Sequence, residues 1–278
     1  MTTAAARLVN RLGGPYGEAL AGQLVEHLPA PLTPRSGLRR VRRGGFHWDL
    51  DLADNLQRTL YLTGTYDDLT LRVVTGRLRP GDVVLDVGAN IGSFALPVAA
   101  RLRGGRVIAV EPAADTARTL RDHARRNHHE DTITVVEAAL SSEPGSAVLR
   151  ASGRGAADVG MRTLHGTGPV AGSDVRVTTV DLLREEVGCQ RFDVVKVDVE
   201  GHELAVLDGM ARTFAEQPPR ILVMELSPSN QELVGASTDA LVEVLSALGY
   251  RGRAIRHRGL GPITAQFCGN GLFERSVA

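Results

Sequence analysis

Two apolar runs of this sequence end in residues that could form a nucleotide site. Residues 83–92, VVLDVGANIG, lead from an apolar strand into a glycine-rich loop. Residues 107–111, VIAVE, form a second apolar run that ends in an acid. This order is typical of a nucleotide site at the carboxyl end of a parallel sheet. The residue that precedes the glycines decides which ligand such a site can bind, and here that residue is the acid Asp86.

The carboxylate of Asp86 limits the kind of ligand that the loop can take. Pyrophosphate sites use backbone N–H groups with no anion nearby, so Asp86 would repel a dinucleotide. It would attract a ligand that carries an ammonium, and S-adenosylmethionine carries one together with a sulfonium. Glu111 could accept hydrogen bonds from both ribose hydroxyls, and Asn90 could donate one to the methionine carboxylate. Gly88 and Gly92 would let the backbone approach the ligand closely. The loop therefore predicts S-adenosylmethionine as cofactor and S-adenosylhomocysteine as product.

A second group of titratable residues lies in residues 192–203, FDVVKVDVEGHE. Lys196 and Asp198 are two apart on a strand, so they share one face. Several charged groups after an apolar strand are costly unless they are paired or used. We predict that the catalytic residues are Lys196, Asp198, Glu200 and His202. The alternative is a Lys196–Asp198 ion pair that only shapes the loop.

His202 is the first choice for a general base, because a free imidazole titrates near neutrality. Lys196, the only lysine in the chain, is the second choice if desolvation keeps it partly neutral. If Lys196 stays charged, it could stabilise a developing alkoxide or hold a carboxylate of the acceptor.

Glu225 ends the next apolar run and could reach the same crevice from residues 224–228, MELSP. We expect Glu200, His202 and Glu225 to face the acceptor substrate. Asp198, Glu200 and Glu225 could also bind a divalent metal through oxygen ligands. We favour a metal-independent site at this stage.

The elements that must position these residues alternate between strand and helix, which predicts an α/β fold with a mostly parallel sheet covered on both faces. Strands are predicted over residues 83–87, 107–111, 133–137, 192–198 and 221–226, with a closing antiparallel pair at 250–255 and 270–275. Helices are predicted over residues 64–76, 93–103, 113–127, 203–214 and 238–248.

Residues 1–60 differ from the rest of the chain. They predict short helices over residues 4–12 and 18–28 and a hairpin over 38–52, with its turn at Gly44 and Gly45. We predict an N-terminal extension over residues 1–60 that serves as lid, acceptor contact or dimer contact, and a cofactor-binding domain over residues 61–278. A homodimer through the extension is one expectation.

Composition excludes several classes of function. The 278 residues carry 32 basic and 32 acidic side chains, so the general electrostatic case for nucleic-acid binding is absent. Two cysteines make no disulfide framework, which favours a reducing cytoplasm. No apolar run reaches the roughly 18 residues of a membrane span, and the first twelve residues lack a secretory h-region. We expect a cytoplasmic protein without membrane or nucleic-acid partners.

Five segments together resemble the FkbM-type methyltransferases: VVLDVGANIGSF, VIAVEP, EAALS, FDVVKVDVEGHELAVLDG and MELSP. The resemblance covers about residues 60–226 and also takes in GTYDD at residues 64–68. A Tyr–Glu pair is common at that point of the family, whereas here Asp67 follows Tyr66. The resemblance implies a Rossmann-like class I methyltransferase fold with an antiparallel closing strand.

The same resemblance implies a set of cofactor contacts, with Glu137 and Ala138 beside the adenine and Asp198 next to the methionine end. The implied contacts are Tyr66, Asp86, Gly88, Ala89, Asn90, Gly92, Glu111, Pro112, Glu137, Ala138 and Asp198. The implied activity is S-adenosylmethionine-dependent O-methylation of a hydroxyl or carboxyl on a small molecule such as a natural product or sugar.

Two alternatives to this activity stay open. One is a non-catalytic S-adenosylmethionine-binding partner subunit. The other is a NAD-dependent oxidoreductase, which would need G-x-G-x-x-G where this loop reads GANIG.

Overall fold

The structure is a computed structural model that describes residues 36–151, 162–163, 172–257 and 259–275. The helices predicted over residues 4–12 and 18–28 lie outside the described residues. The predicted hairpin is present and consists of β1 (Leu38–Arg43) and β2 (Phe46–Asp51), paired antiparallel.

Five parallel strands form the centre of the main sheet, as the alternation of strands and helices predicts. They are β3 (Val83–Val87), β4 (Arg106–Val110), β5 (Ile133–Val136), β10 (Val194–Val197) and β11 (Ile221–Leu226). In space they run in the order β11-β10-β3-β4-β5. The chain therefore leaves β3 on one side towards β4 and returns on its other side at β10, which makes the carboxyl end of β3 a topological switch point.

An antiparallel group closes the sheet beyond β11. It consists of β12 (Tyr250–Arg256), β13 (Gly259–Gly261) and β14 (Gly269–Arg275). The last of these, β14, lies between β11 and β12 and is antiparallel to both. The predicted closing pair is thereby confirmed, and the fold is the Rossmann-like α/β fold that the sequence predicts.

A second, smaller sheet has the strand order β6-β9-β7-β8. Its strands are β6 (Ala139–Leu140), β7 (Gly145–Ala151), β8 (Arg162–Thr163) and β9 (Ser173–Thr178). Only residues 137 and 138 separate β5 from β6. The small sheet therefore begins at the carboxyl end of β5, close to the site described below.

Nine helices lie within the described residues. They are α1 (Asn55–Thr63), α2 (Asp68–Thr75), α3 (Ala95–Ala99), α4 (Ala114–Arg126), α5 (Val180–Glu186), α6 (Glu203–Asp208), α7 (Ala211–Glu216), α8 (Pro228–Leu233) and α9 (Thr238–Ala247).

Three predicted helices were wrong in extent. The helix predicted over 64–76 begins only at α2, because Asp67 caps it and Gly64 caps the preceding α1 in a left-handed conformation. The helix predicted over 93–103 shrinks to α3, whose N-cap position is Phe94 and lacks a side-chain cap. The helix predicted over 203–214 is split at Gly209, where a Cβ atom would lie 2.2 Å from the Ser141 carbonyl oxygen. Close packing against the small sheet therefore interrupts it.

The two faces of the main sheet differ in chemistry. One face buries only apolar side chains from the central strands, such as Leu85, Val195 and Met224, against α5, α6 and α9. The opposite face also begins apolar, with Val84 and Val194 packed against α2, α3 and the hairpin. Towards the carboxyl ends of the strands, that second face becomes polar, and the candidate site lies there.

The hairpin packs on the same core as the sheet. Trp48 is 1% exposed and shares a buried cluster with Val84. The predicted boundary at residue 60 falls inside α1. The functional division into an extension and a cofactor-binding domain stays a prediction. No helix among the described residues combines the length and the apolar character that a membrane crossing requires.

Candidate active site

Polar side chains from four neighbouring strands lie on one face of the sheet because their registers are in phase. Lys196 on β10 is paired with Asp86 on β3, and Glu225 on β11 is paired with Asn270 on β14. Side chains alternate between the faces of a strand, so Asp198 projects on the same face as Lys196. The strands thus bring three of the predicted acids together at the switch point beside β3.

Contacts within the protein account for both predicted glycines of the loop. Gly88 has φ +78°, and a Cβ atom there would lie 2.0 Å from the backbone oxygen of Asp198. Gly92 has φ +93°, and a Cβ atom there would lie 2.4 Å from the Leu120 side chain on α4. The sequence attributes these glycines to close approach of a ligand. The structure shows that strand and helix packing already requires them.

Asp86 is a fully buried acid whose carboxylate has no hydrogen-bond donor. It is 0% exposed, and neither of its carboxylate oxygens has a hydrogen-bond partner among the residues that the structure describes. The Lys196 ammonium is 3.9 Å from Asp86 Oδ1, which is an ion pair without a direct hydrogen bond. Burial raises the pKa of Asp86 to about 6, against the opposing effect of Lys196. A donor-rich or cationic ligand is what this carboxylate lacks.

Glu111 is held at the end of β4 by the loop that it faces. Its Oε2 accepts from the Asn90 backbone N–H at 3.0 Å, and its Oε1 accepts from the Ala113 backbone N–H at 2.9 Å. Asn90 has φ +48°, and its side-chain oxygen accepts from the Ile91 N–H at 2.7 Å. These contacts fix the position of the acid at the end of β4.

Lys196 is buried among acids and stays charged. Its Nζ donates to Asp198 Oδ2 at 2.8 Å and lies 5.5 Å from the centre of the Phe94 ring. Burial alone would lower the pKa of Lys196, but Asp198 and Asp86 reverse this effect and raise the pKa. An ammonium with a raised pKa is a poor base at neutral pH. The second of the two roles predicted for Lys196, that of a fixed cation, therefore fits better than that of a base.

The segment before α2 covers this face. Asp67, at the N-cap of α2 with φ +56°, accepts from Asn270 Nδ2 at 2.6 Å. Burial raises the pKa of Asp67 to about 6. Tyr66 beside it is 38% exposed and lies within electrostatic reach of Asp198. The segment is thus tied to the strand β14, and Tyr66 lies at the edge of the site.

His202 lies at the start of α6 and contacts the small sheet. Its Nε2 is 2.9 Å from Ser141 Oγ. The next residue, Glu203, is 1% exposed, and its Oε1 accepts from the Gly201 N–H at 3.0 Å. Burial raises the pKa of Glu203 to about 7. Glu203 therefore holds the loop that carries His202, as expected of a carboxylate near a helix start.

Glu200 and Glu225 approach Asp198 from two directions. One oxygen from each of these three carboxylates lies within 4.8 Å of the other two. Glu200, with φ +56°, accepts from Asn230 Nδ2 at 2.6 Å. Burial, and after it the charges of Asp198 and Glu200, raises the pKa of Glu225 well above its usual value.

Glu137 and Ala138, predicted beside the adenine, follow β5, and Pro112, another predicted cofactor contact, follows β4. Ala138 is 1% exposed and Pro112 is half-buried. Glu137 is exposed and pairs with Arg121 at 3.4 Å. Whether these three contact a ligand stays a prediction.

Sequence reasoning missed several polar residues of the site that come from distant parts of the chain. They are Ser141, Asn230 and Asn270, together with Phe94 over the Lys196 ammonium. Ser141 and Phe94 each end a recognised motif, and Asn270 begins a predicted strand, but only the tertiary structure shows which of these side chains meet.

Comparison with known families gives a clear match. The family model described as the methyltransferase FkbM domain matches residues 86–251, which is more than half of the chain. The match begins at Asp86 and includes Lys196, Asp198, Glu200, His202 and Glu225.

Three curated proteins show the same relationship. The AMB antimetabolite synthetase AmbE of Pseudomonas aeruginosa is 28% identical over 234 residues, which cover 70% of this chain and 11% of AmbE. The hexuronic acid methyltransferase AglP of Haloferax volcanii is 30% identical over 173 residues, which cover 62% of this chain and 66% of AglP. The 31-O-demethyl-FK506 methyltransferase FkbM of Streptomyces tacrolimicus is 33% identical over 162 residues, which cover 48% of this chain and 61% of that protein.

This chain therefore matches about a tenth of AmbE and just under two thirds of the other two relatives. Among solved structures, the O-methyltransferase from Bacillus cereus in complex with SAH is 13% identical, with a TM-score of 0.43. That likeness covers 74% of this chain and 76% of the Bacillus cereus chain.

Proposed function

Because this chain belongs to the FkbM family of methyltransferases, we propose that it transfers a methyl group from S-adenosylmethionine to an oxygen of a small molecule. The acceptor group in this proposal is a hydroxyl, or else a carboxyl. Two relatives support this acceptor class by name, since AglP is a hexuronic acid methyltransferase and FkbM acts on 31-O-demethyl-FK506.

The observation that carries the proposal is the Asp86 carboxylate, which is fully buried beside a glycine loop and lacks any hydrogen-bond donor. Leaving such a group unsatisfied costs free energy that a bound ligand can recover. The α-ammonium of S-adenosylmethionine supplies both a positive charge and several N–H donors. A pyrophosphate supplies neither, so the same observation disfavours NAD.

Glu111 supports the same cofactor. Its two oxygens are fixed by backbone N–H groups at 3.0 and 2.9 Å, so they are already oriented towards the loop. A carboxylate held in this way can accept hydrogen bonds from the two hydroxyls of a ribose. When bound, S-adenosylmethionine supplies an activated methyl group on its sulfonium. The protein then has to position the acceptor oxygen and manage its proton.

His202 is the general base in this proposal, and its contact with Ser141 decides which ring nitrogen can act. If the Nε2–H of His202 donates to Ser141 Oγ, then Nδ1 is the unprotonated nitrogen and the one that can accept a proton. If the hydroxyl donates to Nε2 instead, Nδ1 carries the proton and cannot accept another. The base role therefore requires the first arrangement.

Lys196 has the second role on the acceptor side. Its ammonium is held between Asp198 and Asp86, so it is a fixed positive charge in a buried position. Such a charge stabilises an oxygen that becomes negative during transfer. Arginine cannot replace this compact point charge without changing its geometry, which explains why a lysine is found here in a chain that otherwise uses only arginine.

The experiment that tests the proposal is calorimetric titration of the full-length protein with S-adenosylmethionine, S-adenosylhomocysteine and NAD. We expect the first two to bind and NAD not to bind. Asp86→Asn keeps the size of the side chain but removes the charge, and should weaken binding of both by about tenfold or more, as expected for a buried charge-assisted contact. Asp131→Asn removes an exposed acid and is the matched control.

The same titration at several pH values tests the role of the charge. Because the pKa of Asp86 is about 6 without ligand, S-adenosylhomocysteine should bind well at pH 7 and progressively less well as the pH falls below 6. Asp86→Asn should remove this pH dependence. Preference for NAD, or unchanged binding by Asp86→Asn, would contradict the proposed cofactor.

A non-catalytic S-adenosylmethionine-binding subunit is the second candidate, and it differs in one readout. It would bind the cofactor in calorimetry but would transfer no labelled methyl group to any hydroxylated or carboxylated acceptor. The acceptor side does not favour it, since Lys196 donates to Asp198, and the carboxylates of Asp198, Glu200 and Glu225 lie within 4.8 Å of one another.

A further inference from the structure

Three carboxylates at the carboxyl ends of β10 and β11 form a group beside the Asp86 loop, and Asp86 itself does not belong to it. Asp198 follows β10, Glu200 lies two residues later, and Glu225 lies on β11. One oxygen from each lies within 4.8 Å of the others. Oxygens on opposite sides of a bound Mg²⁺ or Ca²⁺ are about 4–5 Å apart, because metal–oxygen distances are about 2.1–2.5 Å. The spacing therefore fits a single hard cation.

A second observation, independent of this spacing, indicates a missing positive ligand. Glu225 is half-buried, but its Oε2 atom is buried and has no hydrogen-bond partner among the described residues. Asn270 is paired directly opposite Glu225 on β14, and its Oδ1 is also buried without a partner. These two oxygens lie on the same face of the sheet. An amide oxygen and an ionised carboxylate both accept, so a cation between them would satisfy both.

The nearby ammonium of Lys196 pairs with only one of the three carboxylates, Asp198, and otherwise with Asp86. Lys196 Nζ donates to Asp198 Oδ2 at 2.8 Å and pairs with Asp86 at 3.9 Å. Asn270 Nδ2 donates to Asp67, which leaves the amide oxygen of Asn270 as the atom that could contact a cation. Within the described residues, no donor lies within hydrogen-bond distance of Glu225 Oε2 or Asn270 Oδ1.

A neighbouring side chain fixes the direction of one of the carboxylates, as is usual around cation sites in proteins. Asn230, 4% exposed, donates to Glu200 Oε2 at 2.6 Å and so fixes the direction of that carboxylate. Second-shell hydrogen bonds of this kind orient the ligands of metal sites. The three ligands are all carboxylates, a set that suits Mg²⁺, Mn²⁺ or Ca²⁺ better than the nitrogen and sulfur ligands preferred by Zn²⁺.

We propose that Asp198, Glu200 and Glu225 bind one divalent cation of the Mg²⁺ and Mn²⁺ class, with the amide oxygen of Asn270 beside it. The sequence alone favoured a metal-independent site, and the geometry points the other way. The cation site goes beyond the proposed methyl transfer and does not depend on it, because neither Asp86 nor Glu111 belongs to it. It adds a positive charge to the side of the crevice on which we place the acceptor.

The test uses full-length protein freed of metal with EDTA and titrated with MnCl₂ in the absence of any nucleotide. The electron paramagnetic resonance signal of free Mn²⁺ reports how much is bound. We expect saturable binding of one Mn²⁺ per chain. Glu225→Gln and Glu200→Gln should each weaken it by at least about tenfold, since even the loss of an outer-shell partner costs about 10–100-fold. Glu232→Gln, an exposed acid on α8, is the matched control and should bind as the unaltered protein does.

The single lysine of this chain locates the bound ion. Protein labelled with ¹³C only in lysine gives one set of side-chain signals, from Lys196. Because Lys196 Nζ is 2.8 Å from Asp198 Oδ2, a paramagnetic Mn²⁺ in this site should broaden those signals at low molar ratios. Glu225→Gln should abolish the broadening at the same Mn²⁺ concentration.

Three outcomes would overturn the proposal: no saturable Mn²⁺ binding, unchanged binding by both variants, or binding that leaves the lysine signals sharp. Circular dichroism and thermal melting check that the variants fold. If Glu225→Gln does not fold, Glu200→Gln on the loop decides the question alone. Failure of the proposed methyl transfer would appear instead in the nucleotide titration, which uses no metal.

Discussion

Gly88 is the residue at which the demands of the fold and those of the ligand can be separated. Its φ of +78° favours glycine, and a Cβ atom would also lie 2.0 Å from the backbone oxygen of Asp198. The first effect is local, whereas the second depends on how closely β10 approaches β3. The loop therefore needs glycine mainly because two parallel strands meet there.

We expect Gly88→Ala to lower the free energy of unfolding by more than about 3 kcal/mol, because backbone atoms must move to admit the methyl group. Gly81→Ala is the matched control. Its φ of +81° is nearly the same, but nothing lies within 4 Å of the added Cβ. That variant should lose only about 1–2 kcal/mol from the left-handed backbone. Urea denaturation of both variants measures the difference, and equal losses would show that the contact with residue 198 is unimportant.

Lys196 illustrates how the surroundings of a residue decide its chemistry. A lysine buried among apolar groups would lose its proton, whereas this one is surrounded by Asp198, Asp86 and Asp67 and keeps it. Sequence spacing shows that Lys196 and Asp198 share a face. It does not show that acids from two other segments are close enough to keep the ammonium charged.

At the scale of elements, a helix and a hairpin are joined through the side chains of α4. His123 Nε2 accepts from the Asp49 N–H of β2 at 2.9 Å, and its Nδ1 lies 2.9 Å from the Ile91 carbonyl oxygen. Asn127 adds a pair of hydrogen bonds to the backbone of His47, at 2.7 and 2.8 Å. These contacts assign the neutral Nδ1–H tautomer to His123, since a protonated ring could not accept from Asp49.

This arrangement predicts a pH-dependent stability. Burial, only partly opposed by the hydrogen bond to Ile91, lowers the pKa of His123 below its usual value. The stability that His123 contributes is therefore complete above the unfolded pKa of about 6.5 and is lost as the pH falls below it. We expect the free energy of unfolding to drop more steeply between pH 7 and pH 5 in the unaltered protein than in His123→Gln.

Urea denaturation at intervals of pH measures these two slopes. His47→Gln, an exposed histidine on the same hairpin, is the control and should leave the slope unchanged. If His123→Gln keeps the full slope, then other groups govern the pH dependence and the neutral tautomer is not what holds the hairpin to α4.

At the scale of the whole molecule, the hairpin and the sheet share one buried cluster. Trp48, Leu50 and Leu52 belong to the same cluster as Val84 and Val194. Helices α1 and α2 also contribute to it, so the polar end of this sheet face is covered by segments that precede the first parallel strand. The stability of the site should therefore depend on the hairpin, although the hairpin lies far from it in sequence.

Trp48 is the only tryptophan and reports this dependence directly. We expect its fluorescence and the far-ultraviolet circular dichroism to change at the same urea concentration, as in a single cooperative unit. Leu50→Ala, at a position that is 0% exposed, should lower both midpoints together and cost about 2–5 kcal/mol. Leu38→Ala, at a position that is 77% exposed, is the control. A fluorescence transition that comes first would instead favour an extension that folds separately.

The sequence by itself determined the alternation of strands and helices, the Asp86 loop and the family. These features are local, because apolar periodicity, a glycine loop and a motif are each set by a few adjacent residues. Strands 83–87 and 221–226 have the predicted limits, and the antiparallel closing pair is present. Helix ends were less predictable, since Gly209 breaks a helix only because the Ser141 backbone is close to it.

Only the tertiary structure decided which polar groups meet. Asp67 and Asn270 are 203 residues apart and share a hydrogen bond. Glu225 and Asn270 are neighbours because β14 pairs antiparallel with β11, a register that no local pattern fixes. Burial then sets the charge states, since the same carboxyl group has a raised pKa when strands and helices remove it from water. The sequence thus determined which chemical groups the site can use, and the packing of distant elements determined their partners and protonation.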